Sequence, residues 1–491
     1  MGSIIDYART ETRGFSIHPF READALVLAQ LSYDDVPDCM PRLEGVESQY
    51  GTLRNRVKHF DFRHPFRSIR MLRQPPFDGI SIARADDELH HDRAVPDHDV
   101  ENVGLVDPQV THDFYHAIAA NPRFSDIEMG AFLEQFDDGE QTQFAAVTYR
   151  LPSGTLVVAF RGTDDSLVGW KEDFNMAFQY PVPAQATAAD YLARVAALWK
   201  DVPIVLTGHS KGGNLAVYAA MNASDEVKDR VERIYSLDGP GFPESVVNSF
   251  EYASVSDRIV KIVPDSSVVG MVLETPERCM VVKSDVEGIM QHFAFSWQMH
   301  GGEFDKVEDV ANSSVTFNKA LNKWLSSLSK EQRERAVDAL FAVLEASGAG
   351  SISAMMAAGP KVIPEMLGTI FYEGTPLHDG AVVIRDGVIV AAGCVLPLSN
   401  NLEMGKDMGT RHRAGLGMSE NSDAIVVIVS EETGIISMAK NGVLIRRLDR
   451  QNLFNLLQEE IVPPAEDEEA DISPLQKLLR KGGALNHGKP E

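Results

Sequence analysis

Cysteine is scarce in this sequence. Three occur in 491 residues (Cys39, Cys279 and Cys394), far apart and never as a C-x-x-C pair. That distribution excludes a disulfide framework, argues against a thiolate metal site and fits a reducing compartment. Positive charge is also in short supply. Forty-six Lys and Arg face 72 Asp and Glu, a formal net charge of −26. Such a chain repels nucleic acid and anionic membrane overall, although a local basic patch could still bind a phosphate. No uninterrupted apolar stretch reaches the roughly 20 residues of a membrane-spanning helix. The first 21 residues are polar and lack the apolar centre of a signal peptide. Met1-Gly2 opens like an N-acylation signal, but Asp6 stands where Ser or Thr is required. The expectation is a cytoplasmic protein with no transmembrane segment and no nucleic-acid partner.

Hydrophobic residues make up 44% of the chain and charged residues 24%, an ordinary globular balance. The length suits two or three domains. An apolar helical face runs over 20–32, and residues 80–105, rich in His and Asp, read as an exposed excursion. Residues 143–160 read as a hairpin turning at Gly154. Further on, 191–199 and 214–221 read as helices and 203–206, 234–237 and 259–263 as strands. Strands alternating with helices predict a parallel sheet flanked by helices. From Ser329 the pattern changes. A capping box opens a helix to about 346, a Gly/Ala/Ser-rich joint follows over 347–360, and strands are expected at 381–384, 388–392, 424–429, 435–439 and 443–446. Asn441-Gly442 is the signal for a type I′ turn between the last two. From 463 the chain reads as a charged, solvated tail.

Residues 203–215 read P-I-V-L-T-G-H-S-K-G-G-N-L. An apolar strand runs into G-x-S-x-G and a helix of small residues follows, the context in which a serine is held on a sharp turn above a sheet. The glycines are required because a Cβ would strike the neighbouring strand or helix. Ser210 is the expected nucleophile. A serine needs a base and a group to orient that base, and after an elbow the order is serine, acid, histidine. Asp265, ending the strand from Arg258, is the expected acid, with Asp238 in L-D-G-P-G as competitor. His292 is the expected base, with His300 behind it. His209, inside the elbow, is expected to point elsewhere. The oxyanion donors are expected from the backbone N–H of Lys211 and from Thr163 in V-V-A-F-R-G-T. The helix start at 170–173 is expected to pack over the pocket. His90, His91 and His98 crowd together, but their spacing matches no zinc pattern.

V-V-A-F-R-G-T, G-H-S-K-G-G, L-D-G-P-G-F, the strand ending in Asp265 and Q-H-F near Trp297 together resemble the class 3 lipase-like α/β hydrolases, and more closely a bacterial branch of unknown function. The resemblance covers about 14–355. It implies an α/β-hydrolase domain that cleaves an acyl ester or thioester without a cofactor.

The second group of motifs is T-P-L-H-D-G-A at 375–381, G-T-R-H-R-A-G-L-G at 409–417 and S-E-E-T-G at 430–434. A carboxylate at a Gly-Ala turn (Asp379) can approach a ribose closely. Arg411 and Arg413 offer fork-shaped donors to phosphates, and His378 with Glu432 could hold a divalent ion. In this order the three resemble the diadenylate cyclase domain, a smaller α/β domain. The resemblance implies condensation of two ATP to cyclic di-AMP with Mg²⁺ or Mn²⁺. Asp379 would activate the 3′-hydroxyl, and Gly380, Ala381 and Leu396 would line base and ribose. Thr410 would lie near the nucleotide, Arg411, His412 and Arg413 would bind phosphates, and His378 and Glu432 would be metal ligands. It also implies at least a homodimer, since two ATP-bearing subunits meet face to face. Residues 346–366 show no counterpart of that family's opening apolar strand, and its membrane anchor helices are missing. The domain therefore reads as N-terminally truncated, covering 362–462. The expected whole is a bifunctional hydrolase and cyclase; the alternative is a hydrolase with an inactive nucleotide-binding domain.

Overall fold

The structure, a computed structural model, describes residues 2–90, 108–137, 142–163, 167–176, 179–286, 288–335, 337, 362, 364–372, 377–385, 387–399, 409–431 and 433–461. The chain divides into two compact units, 1–359 and 360–491. The expected joint at 347–360, the tail from 463, and His91 and His98 lie outside the described residues.

The first unit is built on a nine-stranded mixed sheet. Its strands are β1 (Ile80–Ser81), β2 (Glu128–Asp137), β3 (Thr142–Arg150), β4 (Leu156–Phe160), β5 (Ile204–His209), β6 (Val231–Leu237), β7 (Ile259–Pro264) and β8 (Met280–Val282). After the short pair β9 (Met299–His300) and β10 (Glu303–Phe304), β11 (Lys306–Val307) closes the far edge. Strands β1 to β4 pair antiparallel, β4 to β8 run parallel, and β11 turns back against β8. The expected hairpin is β3–β4 and the expected parallel strands are β5, β6 and β7.

Every residue of β4 and β5 is buried. Parallel strands covered on both faces need continuous apolar runs rather than alternation, and V-V-A-F and I-V-L supply them. Val157 and Val205 join one core, with the helix Glu22–Leu31, while Val158 and Leu206 join the other, with the helices Pro183–Leu198 and Lys211–Met221. The helix at 22–31 is more deeply sunk than an apolar face requires, since all of Ala23–Leu31 is buried. Its Asp24 is fully buried and neutralised by Arg123 at 2.6 Å.

Two stretches differ from expectation. Residues 80–90, expected as part of an exposed excursion, form β1 and the helix Ile82–His90, with Ile82 and Ala85 fully buried. The segment before residue 14 belongs to the first unit. Its helix Ile4–Thr10 is closed by a reciprocal cap between Ser3 and Asp6 and buries Ile4, Tyr7 and Ala8. Gly2 exchanges backbone hydrogen bonds with Met299 in both directions, at 3.0 and 2.7 Å.

The second unit holds an antiparallel pair, β12 (Ala381–Arg385) with β13 (Val388–Cys394), and a meander of β14 (Val426–Val429), β15 (Ile436–Lys440) and β16 (Val443–Leu448). Helices span Pro364–Ile370, Thr410–Asn421 and Arg450–Ile461. The strands fall within a residue or two of their expected places. Asn441 and Gly442 both take positive φ, 48° and 73°, as a type I′ turn demands. Leu416, Ile428 and Ala439 form a small buried cluster between helix and meander.

Candidate active sites

The elbow follows β5. Ser210 has φ 59° and ψ −134°, a left-handed conformation that a non-glycine residue holds only under constraint. The constraint is visible on both sides: Ser210 N–H donates to Leu237 O of β6 at 2.9 Å, and Gly213 N–H donates to Ser210 O at 2.9 Å. A Cβ on Gly208 would run into the backbone of Gly212, and one on Gly212 into the carbonyl of Phe160. The glycine spacing follows from these approaches.

His292 lies on the short 3₁₀ turn Gly288–His292. Its Nε2 is 2.9 Å from Ser210 Oγ and its Nδ1 is 2.6 Å from Asp238 Oδ2. Asp238 accepts a second bond from Ser267 Oγ at 2.6 Å. Burial raises the pKa of this enclosed carboxyl, but the His292 bond and charge and the Ser267 bond outweigh it and hold Asp238 below the ordinary carboxylate value. An ionised Asp238 fixes the proton on Nδ1 and leaves Nε2 to accept the serine proton.

Asp265 is therefore not the carboxylate on His292. It follows β7, one strand further from the elbow, and its backbone N–H is tied to Val282 O of β8 at 2.9 Å. Its Oδ1 is buried without a hydrogen-bond partner. Asp238 leaves β6, the strand next to β5, with φ 48°. Gly239 after it passes so close that a Cβ would stand 2.8 Å from Ser210 O. That Asp-Gly pair was the available signal: a turn pressed against the elbow needs a residue without a side chain.

Gln291 anchors the turn that carries His292. Its Oε1 accepts from Ser266 N–H at 2.7 Å, its Nε2 donates to Val286 O at 2.9 Å and its carbonyl accepts from Trp297 Nε1 at 2.8 Å. His209 does not point away from the site. Its Nε2 is 2.8 Å from the backbone carbonyl of His292, and the two rings lie 4.7 Å apart. Burial, then the neighbouring His292, pushes its pKa down to about 3. Since a carbonyl only accepts, Nε2 carries the proton and Nδ1 accepts from Tyr33 Oη at 3.2 Å. His300, the second choice for the base, is an exposed residue of β9.

The loop 161–163 lies against Ser210; a Cβ on Gly162 would stand 3.1 Å from Ser210 Cβ. The N–H of Lys211 is in the first turn of its helix, where no intrahelical carbonyl accepts it. The Thr163 hydroxyl is engaged elsewhere, donating to Asp173 Oδ2 at 2.5 Å. Asp173 comes from the helix Leu167–Asn175, the segment expected near the pocket. The Lys211 side chain is fully buried and bonds Glu172 Oε2 at 3.0 Å and Gln143 O at 3.1 Å. Burial, partly offset by Lys211 and Thr163, pushes the Asp173 carboxyl up to about 6.

In the second unit the turn Leu377–Gly380 leads into β12, and Gly380 is packed so tightly on Gly393 of β13 that a Cβ would overlap its backbone. Asp379 is 79% exposed, with His378 Nε2 3.5 Å from its Oδ1. Thr410, Arg411 and Arg413 lie exposed in the first turn of the helix Thr410–Asn421, where backbone N–H groups favour anions. Arg411 pairs with Glu431 at 3.4 Å and Arg413 donates to Ser399 O at 3.3 Å. His412 turns inward instead. It is buried, 3.3 Å from Ser437 Oγ of β15, and burial and Arg446 lower its pKa. Ala381 and Leu396 are half-buried at one end of the β12–β13 pair, where Ala381 lies opposite Cys394. Glu432 lies outside the described residues, and no group of three metal-ligating side chains occurs among those described.

A family model described as Mbeg1-like matches residues 118–342. One described as DisA bacterial checkpoint controller nucleotide-binding matches 329–444, so the C-terminal part of the chain carries this DAC domain. Its match reaches back over the helix expected to close the first domain. The chain is 40% identical over 155 residues to the cyclic di-AMP synthase CdaA of Bacillus subtilis, covering 31% of this chain and 54% of that one. It is 42% identical over 130 residues to a diadenylate cyclase of Listeria monocytogenes (26% and 48%), and 53% identical over 79 residues to the diadenylate cyclase CdaS of Bacillus thuringiensis (16% and 39%). Among solved structures, a double cysteine mutant of DacA from Staphylococcus aureus shares 44% identity, with a TM-score of 0.21, over 21% of this chain and 69% of that one. The chain spans about half the length of the first two of these curated relatives.

Proposed function

We propose that the protein joins two chemistries: a C-terminal diadenylate cyclase and an N-terminal serine hydrolase of α/β-hydrolase type. The observation that supports the cyclase is the match of the DAC family model over 329–444, the stretch that holds D-G-A, R-H-R and S-E-E-T-G, beside the identity with proteins named diadenylate cyclases. In the reaction the 3′-oxygen of each ATP attacks the α-phosphorus of the other. Two P–O bonds form, two pyrophosphates leave and two hydroxyl protons are released. Asp379, exposed on its turn, takes the role of drawing the proton from a 3′-hydroxyl. Arg411 and Arg413, exposed at a helix N-terminus, suit the triphosphate. His412 supports that turn from within rather than binding phosphate. Gly380 and Ala381 let the nucleotide approach the backbone, with Leu396 and Thr410 beside it. The chemistry calls for at least two subunits, each bearing one ATP. His378, beside Asp379 on its turn, and Glu432 would be the protein ligands of an Mg²⁺ or Mn²⁺ otherwise held by phosphate oxygens and water. When bound, the ion would neutralise phosphate charge.

The observation that supports the hydrolase is His292 bridging Ser210 and Asp238 at 2.9 and 2.6 Å. His292 takes the Ser210 proton as Oγ attacks the acyl carbon, then returns it to the leaving alcohol or thiol, and water releases the acyl group by the same route. The backbone N–H groups of Lys211 and Thr163 suit the oxyanion. An ester or thioester is the substrate class.

Incubation with ATP and Mn²⁺, with product read by mass spectrometry, tests the cyclase. Cyclic di-AMP that disappears in Asp379→Asn is the expected result. ATP binding without product would instead support a regulatory nucleotide-binding domain. Hydrolysis of p-nitrophenyl esters, lost in Ser210→Ala, tests the other half.

A further inference from the structure

Against a net charge of −26, residues 52–74 hold six arginines and one lysine with a single carboxylate, Asp61. They form two short helices, Leu53–Lys58 and Pro65–Arg73. Arg56 locks the helices together by donating to Leu72 O at 3.0 Å and Arg73 O at 3.3 Å. Ser68, buried, ties the second helix to the connecting turn through Asp61 N–H at 2.9 Å. With Ser68 turned inward, Phe66, Ile69, Arg70 and Arg73 share the opposite face at helical spacing.

That face is apolar as well as basic. Phe66 is 88% exposed and Phe62, on the turn, 86%. Ile69, Leu53 and Val57 are also exposed. Among the described residues no carboxylate forms an ion pair with Arg63, Arg67, Arg70 or Arg73. Position separates the patch from catalysis. Gln74 donates to Lys200 O at 3.1 Å and Phe77 packs on Trp199 at 5.0 Å, just before β5 begins. Ser210 follows the other end of β5, so the patch does not cover the nucleophile.

We propose that this helical pair docks on a lipid bilayer bearing anionic headgroups. Arginines around large apolar side chains, on short helices lying parallel to a surface, match that boundary: the rings and aliphatic groups enter the acyl edge while the guanidinium groups meet phosphates. A nucleic-acid backbone would use the arginines and could stack on the phenylalanines, but it offers nothing to Ile69, Leu53 and Val57.

Flotation of the full-length protein with vesicles tests the proposal. Binding to mixed phosphatidylcholine–phosphatidylglycerol vesicles, absent from pure phosphatidylcholine and weakened by salt, is expected. Arg70→Ala with Arg73→Ala should weaken it about 25-fold, at about fivefold per charge. Phe62→Ser with Phe66→Ser should weaken it even at low salt. All four side chains are exposed, so these variants should keep the melting temperature and ester cleavage of the parent. No binding to the mixed vesicles, or binding that both variants retain, overturns the proposal. So does retention of a labelled RNA oligonucleotide, lost in the arginine variant, without vesicle binding.

Discussion

At the scale of single residues, Asp238 and Asp265 make opposite predictions. Asp238 holds His292 by a bond of 2.6 Å, so Asp238→Asn should lower kcat for ester cleavage by about 10⁴ by favouring the wrong imidazole tautomer. Asp265→Asn should leave kcat within a few-fold; the two rates measured side by side decide which carboxylate orients the base. Asp173 gives a pH prediction. Burial raises its carboxyl from 3.8 to about 6. Its contribution to stability is therefore full below pH 4 and is lost as pH rises through 6. Asp173→Asn removes that loss, which is about 2 kcal/mol after allowing for partial exposure. The melting temperature of the variant relative to the parent should rise between pH 5 and pH 8 in calorimetry.

At the scale of elements, the strand–turn–helix around Ser210 was legible because its glycines have no other reason to be there. Gly208 and Gly212 pass each other without room for a Cβ, and Gly212 also faces the Phe160 carbonyl. Gly212→Ala should cost about 3 kcal/mol, read as a lower midpoint in urea unfolding. The strands of the second unit could likewise be placed from their β-branched runs and the Asn-Gly turn. What could not be read was which carboxylate sits beside which strand. The order Ser, acid, His fits Asp238 and Asp265 equally; the glycine after Asp238 is the one local mark that separates them, and it gains its meaning from the packing of β6 against β5. His209 was misplaced for a similar reason. Its role depends on the His292 carbonyl, 83 residues away in sequence, and nothing local marks that contact. His412 and the arginines beside it look alike as a basic tripeptide, yet helix geometry turns the middle residue inward.

At the scale of the whole molecule, the two proposed chemistries should be separable by mutation. Ser210→Ala should abolish ester cleavage and leave ATP turnover unchanged, while Asp379→Asn should do the reverse. Parallel assays on one preparation check both, and loss of both activities in either variant would show that the two depend on each other. Among the described residues no helix is long and apolar enough to cross a membrane.

The backbone pairing of Gly2 with Met299 bears on how the protein is handled. Met299 stands seven residues after His292 and two after Trp297, the ring that holds the Gln291 carbonyl. A fusion or substitution that breaks this pairing at Gly2 would loosen the segment that follows His292.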